Sequence, residues 1–329
     1  AFTGLSKKKS PTLTLQHDNL YTKNKKYAIG IRAFYDTRIK ELNEIDENYK
    51  QIGEEAFAGC SELSGDLKLN AGTIGNKAFY HTSYNGKLTL GDEIQQFLPS
   101  GGNFDGFEGC SFTSVEIHNN KIPNNCFCGM SSLTGDLIIP ETIYSIGDDA
   151  FLGCNFNSLT FEENPNLGLT IGKRAFYKCA EIKDKVSLKR NIDTISQYAF
   201  YGCSKITSVE FPETLKYIKE YAFSKSGLTS VTFPIILVKI GEGAFMNCAN
   251  LAGNLVIPEH VGDPNDDNFN YNDGKYAFYN CQELTGTLTL DRFIPQIPEY
   301  AFYNCKFTGS LNLPRAIIIG EYAFYGCSG

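Results

Sequence analysis

One nine-residue phrase, Ile-Gly-x-x-Ala-Phe-x-x-Cys, recurs along the chain and constrains its fold more than any other feature. Clear copies stand at 52–60, 146–154, 171–179, 240–248 and 319–327, and looser copies lie between them. The anchoring phenylalanines follow one another about every 23 residues, with two longer intervals of 28 and 33. Self-similarity at this period indicates a solenoid of stacked turns rather than a set of globular domains. The anchors are Phe34, Phe57, Phe79, Phe107, Phe127, Phe151, Phe176, Phe200, Phe223, Phe245, Phe278, Phe302 and Phe324.

A second phrase, between the anchors, alternates apolar and polar residues. Its short forms are 206–212 and 228–234, and a form one residue longer stands at 133–140. Alternation with a period of two predicts a strand with one buried face, and the proline that ends each phrase removes a backbone donor. One turn cannot bury its inward residues alone, so we expect parallel strands stacked about 4.8 Å apart in a right-handed coil. The inward set of one turn is Ala199, Phe200, Cys203, Ile206, Val209, Phe211, Leu215 and Ile218.

Together the two phrases closely resemble the BspA-like leucine-rich repeats, also called the Treponema pallidum type. The resemblance covers essentially the whole chain. It implies a leucine-rich-repeat solenoid of about 13 to 14 turns, with a parallel β-sheet on one face and short strands or 3₁₀ turns elsewhere. It also implies a surface-exposed or secreted protein of bacteria or of some mucosal protozoa. Several such proteins are regarded as adhesins, but no family binding residue maps onto the repeat phrase.

The domain organisation follows from the repeats. We expect a single solenoid domain over 1–329, with insertions at about 16–28, 91–106 and 259–275. Because the chain opens inside a repeat and stops just after an anchor, both ends are predicted to be cut within a repeat. A bare terminal turn would expose apolar surface and strand edges. The sequence therefore predicts either a fragment of a longer array or ends that a partner copy covers.

Composition and motifs argue against several functions. A net charge of −7 disfavours nucleic acid as a partner. The chain contains no run of 18 apolar residues, so the sequence predicts no membrane insertion. The four histidines are scattered, and no metalloprotease, phosphate-loop or nucleophile-elbow motif is present. We therefore expect neither enzymatic activity nor a cofactor.

Cysteines and acidic residues are the candidate metal ligands. Nine of the eleven cysteines share one repeat column, which holds Thr37, Thr82, Met130 or Ser226 in other turns. A column that accepts all these residues predicts buried, reduced cysteines that pack as small hydrophobes. The exception is the pair Cys126 and Cys128, with His118 as the nearest further ligand, and we expect no metal there. Weak candidates for Ca²⁺ lie in the acidic insertion, which is expected to be a solvated loop: Asp263, Asp266, Asp267 and Asp273.

Two surfaces are candidates for binding. The first is the outward side of the strand column, rich in hydroxyls and free of aromatic residues. It comprises Thr14, Lys68, Thr89, Glu116, Ile138, Thr160, Ser187, Glu210, Thr232, Val256, Thr289 and Asn312.

The second surface is a stripe of tyrosines that either follow the anchor phenylalanine or precede the repeat alanine. These side chains either stack on one another over the core or form an amphipathic recognition face. The stripe members taken as candidate ligand-binding residues are Tyr177, Tyr201, Tyr279, Tyr303, Tyr325, Tyr198, Tyr221, Tyr300 and Tyr322; further members are Tyr35, Tyr80 and Tyr276.

Three functions fit these surfaces. The leading hypothesis is an extracellular or cell-surface adhesion module of a bacterium, which binds a host matrix protein or a cell-surface protein. An alternative is a carbohydrate-binding accessory domain that uses the tyrosines as sugar platforms. The third is a structural spacer that holds another domain away from the cell wall.

Overall fold

The computed structural model describes residues 13, 27–98, 104–262, 273–290, 294, 296–311, 313 and 318–329. By its internal contacts the chain divides into two compact units, unit 1 (Ala1–Asn157) and unit 2 (Ser158–Gly329). Each unit is built from stacked turns of parallel β-strands, about 12 turns in all, and the described residues contain no helix. The predicted leucine-rich-repeat solenoid is thereby confirmed.

Unit 1 contributes short strands that alternate between two sides of each turn. They are β1 (Tyr27–Ile29), β2 (Glu44–Ile45), β3 (Tyr49–Ile52), β4 (Leu67–Leu69), β5 (Thr73–Gly75), β6 (Lys87–Leu90), β7 (Gln96–Leu98), β8 (Ser114–Ile117), β9 (Lys121–Ile122), β10 (Asp136–Ile139) and β11 (Ser145–Ile146).

Unit 2 continues the pattern in its own turns. Its strands are β12 (Ser158–Phe161), β13 (Asn164–Gly168), β14 (Thr170–Ile171), β15 (Asp184–Ser187), β16 (Arg190–Asn191), β17 (Thr194–Ile195), β18 (Ile206–Glu210), β19 (Tyr217–Ile218), β20 (Lys239–Ile240), β21 (Leu255–Ile257), β22 (Leu288–Leu290), β23 (Gln296–Ile297) and β24 (Ile318–Ile319).

Parallel pairing places equivalent repeat residues above one another. In unit 1 the strand orders are β1-β3-β5-β7 and β2-β4-β6-β8, and β9 pairs with β11. In unit 2, β14, β17, β19 and β20 pair in that order, while β13–β16, β15–β18, β21–β22 and β23–β24 form separate pairs. The register aligns Leu67 with Leu88 and Ile195 with Ile218. Each repeat position therefore becomes a column of stacked side chains.

The anchor phenylalanines form the core of each unit. Phe57 and Phe200 are fully buried. Phe57 stacks on Phe79 in unit 1 with ring centroids 5.3 Å apart, and Phe200 stacks on Phe223 in unit 2 at 5.3 Å. The Phe200 N–H also donates to the Ala222 carbonyl of the next turn at 2.8 Å, so the Ala-Phe corner has a hydrogen-bond ladder of its own. The predicted phenylalanine core is confirmed.

The glycine of the Ile-Gly pair is required by close approach between turns. A Cβ on Gly53 would lie 2.5 Å from the Gly30 carbonyl carbon. In unit 2, a Cβ on Gly241 would lie 2.6 Å from the carbonyl carbon of Lys219. Both neighbours are backbone atoms, which cannot move aside without disturbing the preceding turn. The glycine thus allows the turns to stack at this corner.

The cysteine column caps the phenylalanine carbonyls. The Cys203 thiol lies 3.1 Å from the carbonyl oxygen of Phe176 in the preceding turn and donates to it. Where threonine fills the column, the Thr82 hydroxyl donates to the Phe79 carbonyl at 2.9 Å and contacts the Cys110 sulfur at 3.2 Å. A small donor satisfies the position, which explains the exchange of Cys, Thr and Ser. The predicted burial of the column is confirmed, except that Cys327 is half-buried.

Parts of the inward set and of the strand prediction were wrong. Val209 and Phe211 are half-buried rather than buried, and the phrase 228–234 contains no strand. The Thr229 N–H still donates to the Thr207 carbonyl at 2.9 Å. The Ala252 N–H donates in turn to the Thr229 carbonyl at 3.0 Å, whereas residues 230–233 make no backbone hydrogen bond with a neighbouring turn among the described residues, so the ladder ends at Thr229. In the following turns β21 pairs with β22.

The predicted insertions coincide only partly with described residues. Residues 27–28 of the first insertion lie in β1, and residues 96–98 of the second form β7. Residues 14–26, 99–103 and 263–272 lie outside the described part of the chain, as do Thr14 and Asn312 of the strand surface.

Candidate functional site

The tyrosine stripe lies at the corner where the chain of a turn enters and leaves the Ala-Phe pair. In unit 2 the residue before the alanine adopts a left-handed backbone, with φ of 57° at Tyr198, 55° at Tyr221 and 56° at Tyr300. This conformation turns the backbone sharply and is uncommon for bulky residues. The tyrosines that precede alanine and those that follow phenylalanine are neighbours at this corner. They form two parallel columns on one surface of unit 2.

The stripe tyrosines of unit 2 are grouped into two sets of stacked rings. The first tyrosine block comprises Tyr177, Tyr198, Tyr201 and Tyr221, and the second tyrosine block comprises Tyr276, Tyr279, Tyr300, Tyr303, Tyr322 and Tyr325.

Within each column the rings are nearly parallel. The ring centroids are 4.9 Å apart for Tyr177–Tyr201 and 5.0 Å for Tyr198–Tyr221. In the second block they are 4.7 Å apart for Tyr279–Tyr303. Between the columns the rings meet edge to face or tilted, with interplanar angles from 44° to 72°. Most ring faces therefore contact another ring, as expected if the tyrosines stack on one another over the core.

The stacked rings are not removed from solvent. Tyr322 and Tyr325 are 45% and 58% exposed, and the other eight tyrosines of the two blocks are half-buried. Ring edges and hydroxyl groups thus form the accessible part of the surface. The recognition hypothesis is compatible with this exposure and remains a prediction.

A break separates the two blocks. In the turn between Tyr221 and Tyr276, the position before alanine is Gly243, which has no side chain. In the other column, Ser224 and Met246 replace tyrosine in two successive turns. Both columns therefore lose their aromatic rings at the same level of unit 2.

Charged groups border the tyrosine blocks. The Tyr221 hydroxyl donates to the carboxylate of Glu242. Burial, reinforced by this bond to Glu242, holds the pKa of Tyr221 well above its ordinary value. The Lys225 ammonium lies 5.5 Å from the centroid of the Tyr201 ring, and the Lys275 ammonium lies 5.4 Å from that of Tyr276. The rings of the stripe thus already accept cations from their own chain.

The repeat pattern that builds this surface matches a known family. The family described as "BspA type Leucine rich repeat region (6 copies)" matches residues 27–100, 69–166, 101–184, 169–273 and 271–329. These ranges together span most of the chain. The chain belongs to the BspA-type leucine-rich repeat family. The resemblance inferred from the Ile-Gly-x-x-Ala-Phe-x-x-Cys phrase is therefore confirmed.

Solved structures of bacterial repeat proteins are similar to this BspA-type chain. A leucine-rich repeat protein from Bacteroides ovatus is 21% identical, with 86% of this chain and 87% of that chain covered and a TM-score of 0.43. A leucine rich cell surface protein from Faecalibacterium prausnitzii is 20% identical, with 92% and 86% covered and a TM-score of 0.43. A T. pallidum leucine-rich repeat protein is 23% identical, with 59% and 82% covered and a TM-score of 0.41. Among curated proteins, none matches the chain.

The strand surface, the other predicted binding surface of this BspA-type chain, carries several ion pairs. In unit 1 the Lys87 ammonium lies 2.7 Å from the Glu116 carboxylate, and in unit 2 Lys185 lies 2.7 Å from Glu210. All four side chains are at least a third exposed, so the pairs stabilise little. Ile138 is exposed in unit 1. The surface offers charges and hydroxyls rather than a large anchoring side chain.

The metal-ligand candidates do not come together in the described residues. No group of three or more His, Cys, Asp or Glu side chains suited to a metal is found there. Asp273 pairs with Lys239 at 2.6 Å, whereas Asp263, Asp266 and Asp267 lie outside the described residues. Cys126 is buried and Cys128 is exposed, so the two thiols point to different environments.

The described part of the chain contains no helix that is long and apolar enough to cross a bilayer.

Proposed function

We propose that this chain is an extracellular or cell-surface protein-interaction module, and that the two tyrosine blocks of unit 2 are its binding surface. The observation that carries the proposal is a difference between the units at one repeat position. Before the alanine, unit 1 holds Glu55, Lys77, Asn125 and Asp149, all with the same left-handed backbone. The fold therefore accepts polar residues there, and the tyrosines of unit 2 are not a requirement of the turn.

Stability alone explains the tyrosines poorly. An aromatic pair adds about 0.5–1.5 kcal/mol beyond the area it buries. A left-handed backbone at a residue other than glycine costs about 1–2 kcal/mol, of the same size and opposite sign. Asparagine and aspartate tolerate this conformation better than tyrosine, because their short side chains bond locally. A repeated tyrosine at this position is thus favoured by something other than folding, and binding energy at protein interfaces is concentrated in tyrosine, tryptophan and arginine.

The stacked geometry favours a protein ligand over a sugar. A sugar platform uses an open ring face, whereas the faces of Tyr300 and Tyr303 are covered by neighbouring rings at 4.7–5.0 Å. Ring edges and a row of hydroxyls remain, and these suit hydrogen bonds and apolar contact with a polypeptide. The BspA-type family, in which surface-exposed and secreted proteins are common, supports the location. A host matrix or cell-surface protein is the class of partner that fits both the covered ring faces and the surface location.

The test is a comparison of arrays and matched variants. The purified chain is applied to arrays of extracellular proteins and of glycans. The double variant Tyr300→Asn with Tyr303→Ser places residues on the surface that other turns already hold. Its control is Lys77→Asn with Tyr80→Ser, at the same two positions in unit 1. We expect the chain to bind proteins on the first array. The unit 2 variant should bind these proteins at least tenfold more weakly, and the affinity of the control variant should change less than twofold.

Three outcomes would contradict the proposal. Equal loss in both double variants would show that the tyrosine surface of unit 2 is not the site. Binding to glycans alone would favour the carbohydrate-binding alternative. Binding to neither array would favour a structural spacer.

A further inference from the structure

A groove in unit 1 lies where one strand ladder ends and another begins. β7 is the last strand of the order β1-β3-β5-β7, whereas β9 belongs to a separate ladder with β11. In the described part of the chain, β7 and β9 do not pair with each other. Residues from both strands line a surface groove of about 350 Å³, within the range of about 300–1,000 Å³ found for small-molecule sites. The junction of the two ladders thus leaves room for a small ligand.

The register of the turns brings polar side chains from three successive turns to this groove. Gln95, Asn120 and Tyr144 each stand directly before the short strand of their turn. Gln96 and Lys121 are the first residues of β7 and β9. The Tyr144 N–H donates to the Asn120 carbonyl at 3.0 Å, so these two positions lie one turn apart. The polar residues that line the groove are Gln95, Gln96, Asn120, Lys121, Asn124 and Tyr144.

Hydrogen bonds within unit 1 hold the walls of the groove in place. Asn119 is only 1% exposed, and its side-chain amide donates to the carbonyl of Lys121. This bond fixes the short connection that carries Asn120 and Lys121 into the groove. On the same side, the side-chain oxygen of Asn124 accepts the Asp148 N–H at 2.8 Å. A wall that is already ordered loses little conformational freedom when a ligand binds to it.

Several groups at the groove keep their binding capacity. Among the described residues, the carboxamides of Gln95, Gln96 and Asn120 make no hydrogen bond, and Lys121 forms no ion pair. Each carboxamide offers two donors and one acceptor. Tyr144 is 43% exposed, and within the same part of the chain no other ring and no cation contacts its ring. Its ring faces are therefore open, unlike those of the tyrosine blocks in unit 2.

An open aromatic face beside carboxamides is suited to a sugar. The C–H groups on one side of a pyranose pack against an aromatic ring. The hydroxyl groups of the sugar both donate and accept, and so do the carboxamides. Among the described residues that line the groove, Lys121 alone carries a charge. An unpaired ammonium forms its strongest hydrogen bonds with a carboxylate, so the groove favours a sugar that carries one.

We propose that the groove between β7 and β9 binds a pyranose with a carboxylate group, such as a uronic or a sialic acid. The sugar ring lies on Tyr144, its carboxylate pairs with Lys121, and its hydroxyl groups bond to the neighbouring carboxamides. The site lies in unit 1 and uses no residue of the tyrosine blocks. It is therefore a second binding activity, beyond the proposed recognition of a protein.

The experiment titrates the full chain with four small probes and follows binding by saturation-transfer NMR. Methyl β-D-glucuronide and methyl β-D-glucoside differ only at C6, where the first has a carboxylate and the second a hydroxymethyl group. The methyl glycoside of N-acetylneuraminic acid is the other acidic sugar, and acetyl-Gly-Asp-Gly-amide presents a carboxylate without a sugar. At least one acidic sugar should bind with a dissociation constant on the order of millimolar. The glucoside and the peptide should bind at least fivefold more weakly.

Two variants and a control locate the contact. Lys121→Gln removes the ammonium and should weaken the acidic sugar to the level of the glucoside. Tyr144→Asn introduces the residue that Asn120 provides in the preceding turn and should weaken the acidic sugar at least fivefold. The control, Lys216→Gln, removes an exposed lysine that stands directly before β19 in unit 2, and it should alter the affinity by less than twofold. Melting temperatures identify any variant that fails to fold, and Lys121→Gln then decides the test.

The results separate this site from its alternatives and from the proposed function. The site is wrong if neither acidic sugar binds, if the glucoside binds as tightly as the acidic sugars, or if Lys121→Gln leaves the affinity unchanged. Equally tight binding of the peptide would replace the sugar with an acidic polypeptide. The variant Tyr300→Asn with Tyr303→Ser should keep the acidic sugar and lose its protein ligands, whereas Lys121→Gln should do the reverse. Loss of the sugar in that double variant would also contradict a site in unit 1.

Discussion

The two units use the same core and different corners. In both, the anchor phenylalanines stack at about 5.3 Å and the Ile-Gly glycine admits the neighbouring backbone. At the position before alanine they diverge: unit 1 pairs Arg32 with Glu55 at 2.5 Å, whereas unit 2 stacks Tyr198 on Tyr221 at 5.0 Å. Stacked columns require only that successive side chains do not repel one another. Ion pairs and aromatic rings both meet this condition, so the corner is free to carry function.

This difference between the units shows which columns of side chains the fold requires. Columns that are buried are repeated in both units with little variation, because each must fill the same space. Columns that are exposed differ between the units, since solvent accepts many side chains. The following predictions separate the two kinds of column, from the largest expected effect to the smallest.

Removing an anchor phenylalanine should be equally damaging in both units. Phe127→Ala in unit 1 and Phe200→Ala in unit 2 each delete a fully buried ring between two stacked neighbours. Each should lower the free energy of unfolding by about 3–5 kcal/mol, measured by urea denaturation. A loss below about 1 kcal/mol for either variant would place that ring outside the core.

The cysteine column should make both units sensitive to alkaline pH. Burial raises the pKa of Cys110 in unit 1 and of Cys248 in unit 2 to about 11. An unfolded thiol ionises near pH 8.5, so the folded state binds the proton more tightly. This stabilising contribution is complete below about pH 8.5 and is lost as the pH rises to about 11, by about 2–3 kcal/mol for each thiol.

Denaturation at pH 8 and at pH 10.5 measures this loss. Serine stands in the same column at Ser226, so Cys110→Ser and Cys248→Ser are the matched variants. Each should show a smaller fall in stability between the two pH values than the parent chain. An unchanged pH dependence in both variants would mean that other groups, such as tyrosines, are responsible.

Adding one methyl group should distinguish glycines that the stacking requires from those it does not. Gly53→Ala and Gly241→Ala force a Cβ into backbone atoms of the neighbouring turn, at 2.5 and 2.6 Å. We expect a loss of about 1–3 kcal/mol in each unit, as for overpacked cores. The control is Gly135→Ala, where the nearest atom is 3.7 Å away and a change within about 0.5 kcal/mol is expected. Equal effects at all three positions would refute the close-approach explanation.

The sequence predicted the buried part of the fold well and the exposed part poorly. Phe200 and Cys203 recur at a fixed period because burial allows few alternatives, so their positions could be inferred without a structure. The missing strand at 230–233 could not, because its phrase, 228–234, alternates apolar and polar residues in the same way as the strand-forming phrase 206–212. The left-handed backbone of Tyr198 could not be predicted either, because glycine is the usual sequence signal for this conformation and tyrosine stands there. The break at Gly243 left a signal in the sequence, a glycine in a column of tyrosines.

Exchanging the corner residues between the units should have the smallest effect on stability. Tyr300→Asn gives unit 2 the residue of unit 1, and Asn125→Tyr makes the reverse change; both positions have a left-handed backbone, with φ of 56° and 60°. Tyr300→Asn loses two stacked neighbours but relieves backbone strain, and these terms nearly cancel. Asn125→Tyr gains no stacked neighbour and relieves no backbone strain, so it should destabilise the chain slightly more than Tyr300→Asn. We expect changes of about 1 kcal/mol or less in urea denaturation. A loss above about 2 kcal/mol for Tyr300→Asn would show that the tyrosine column belongs to the fold, and the difference between the units would then concern stability rather than binding.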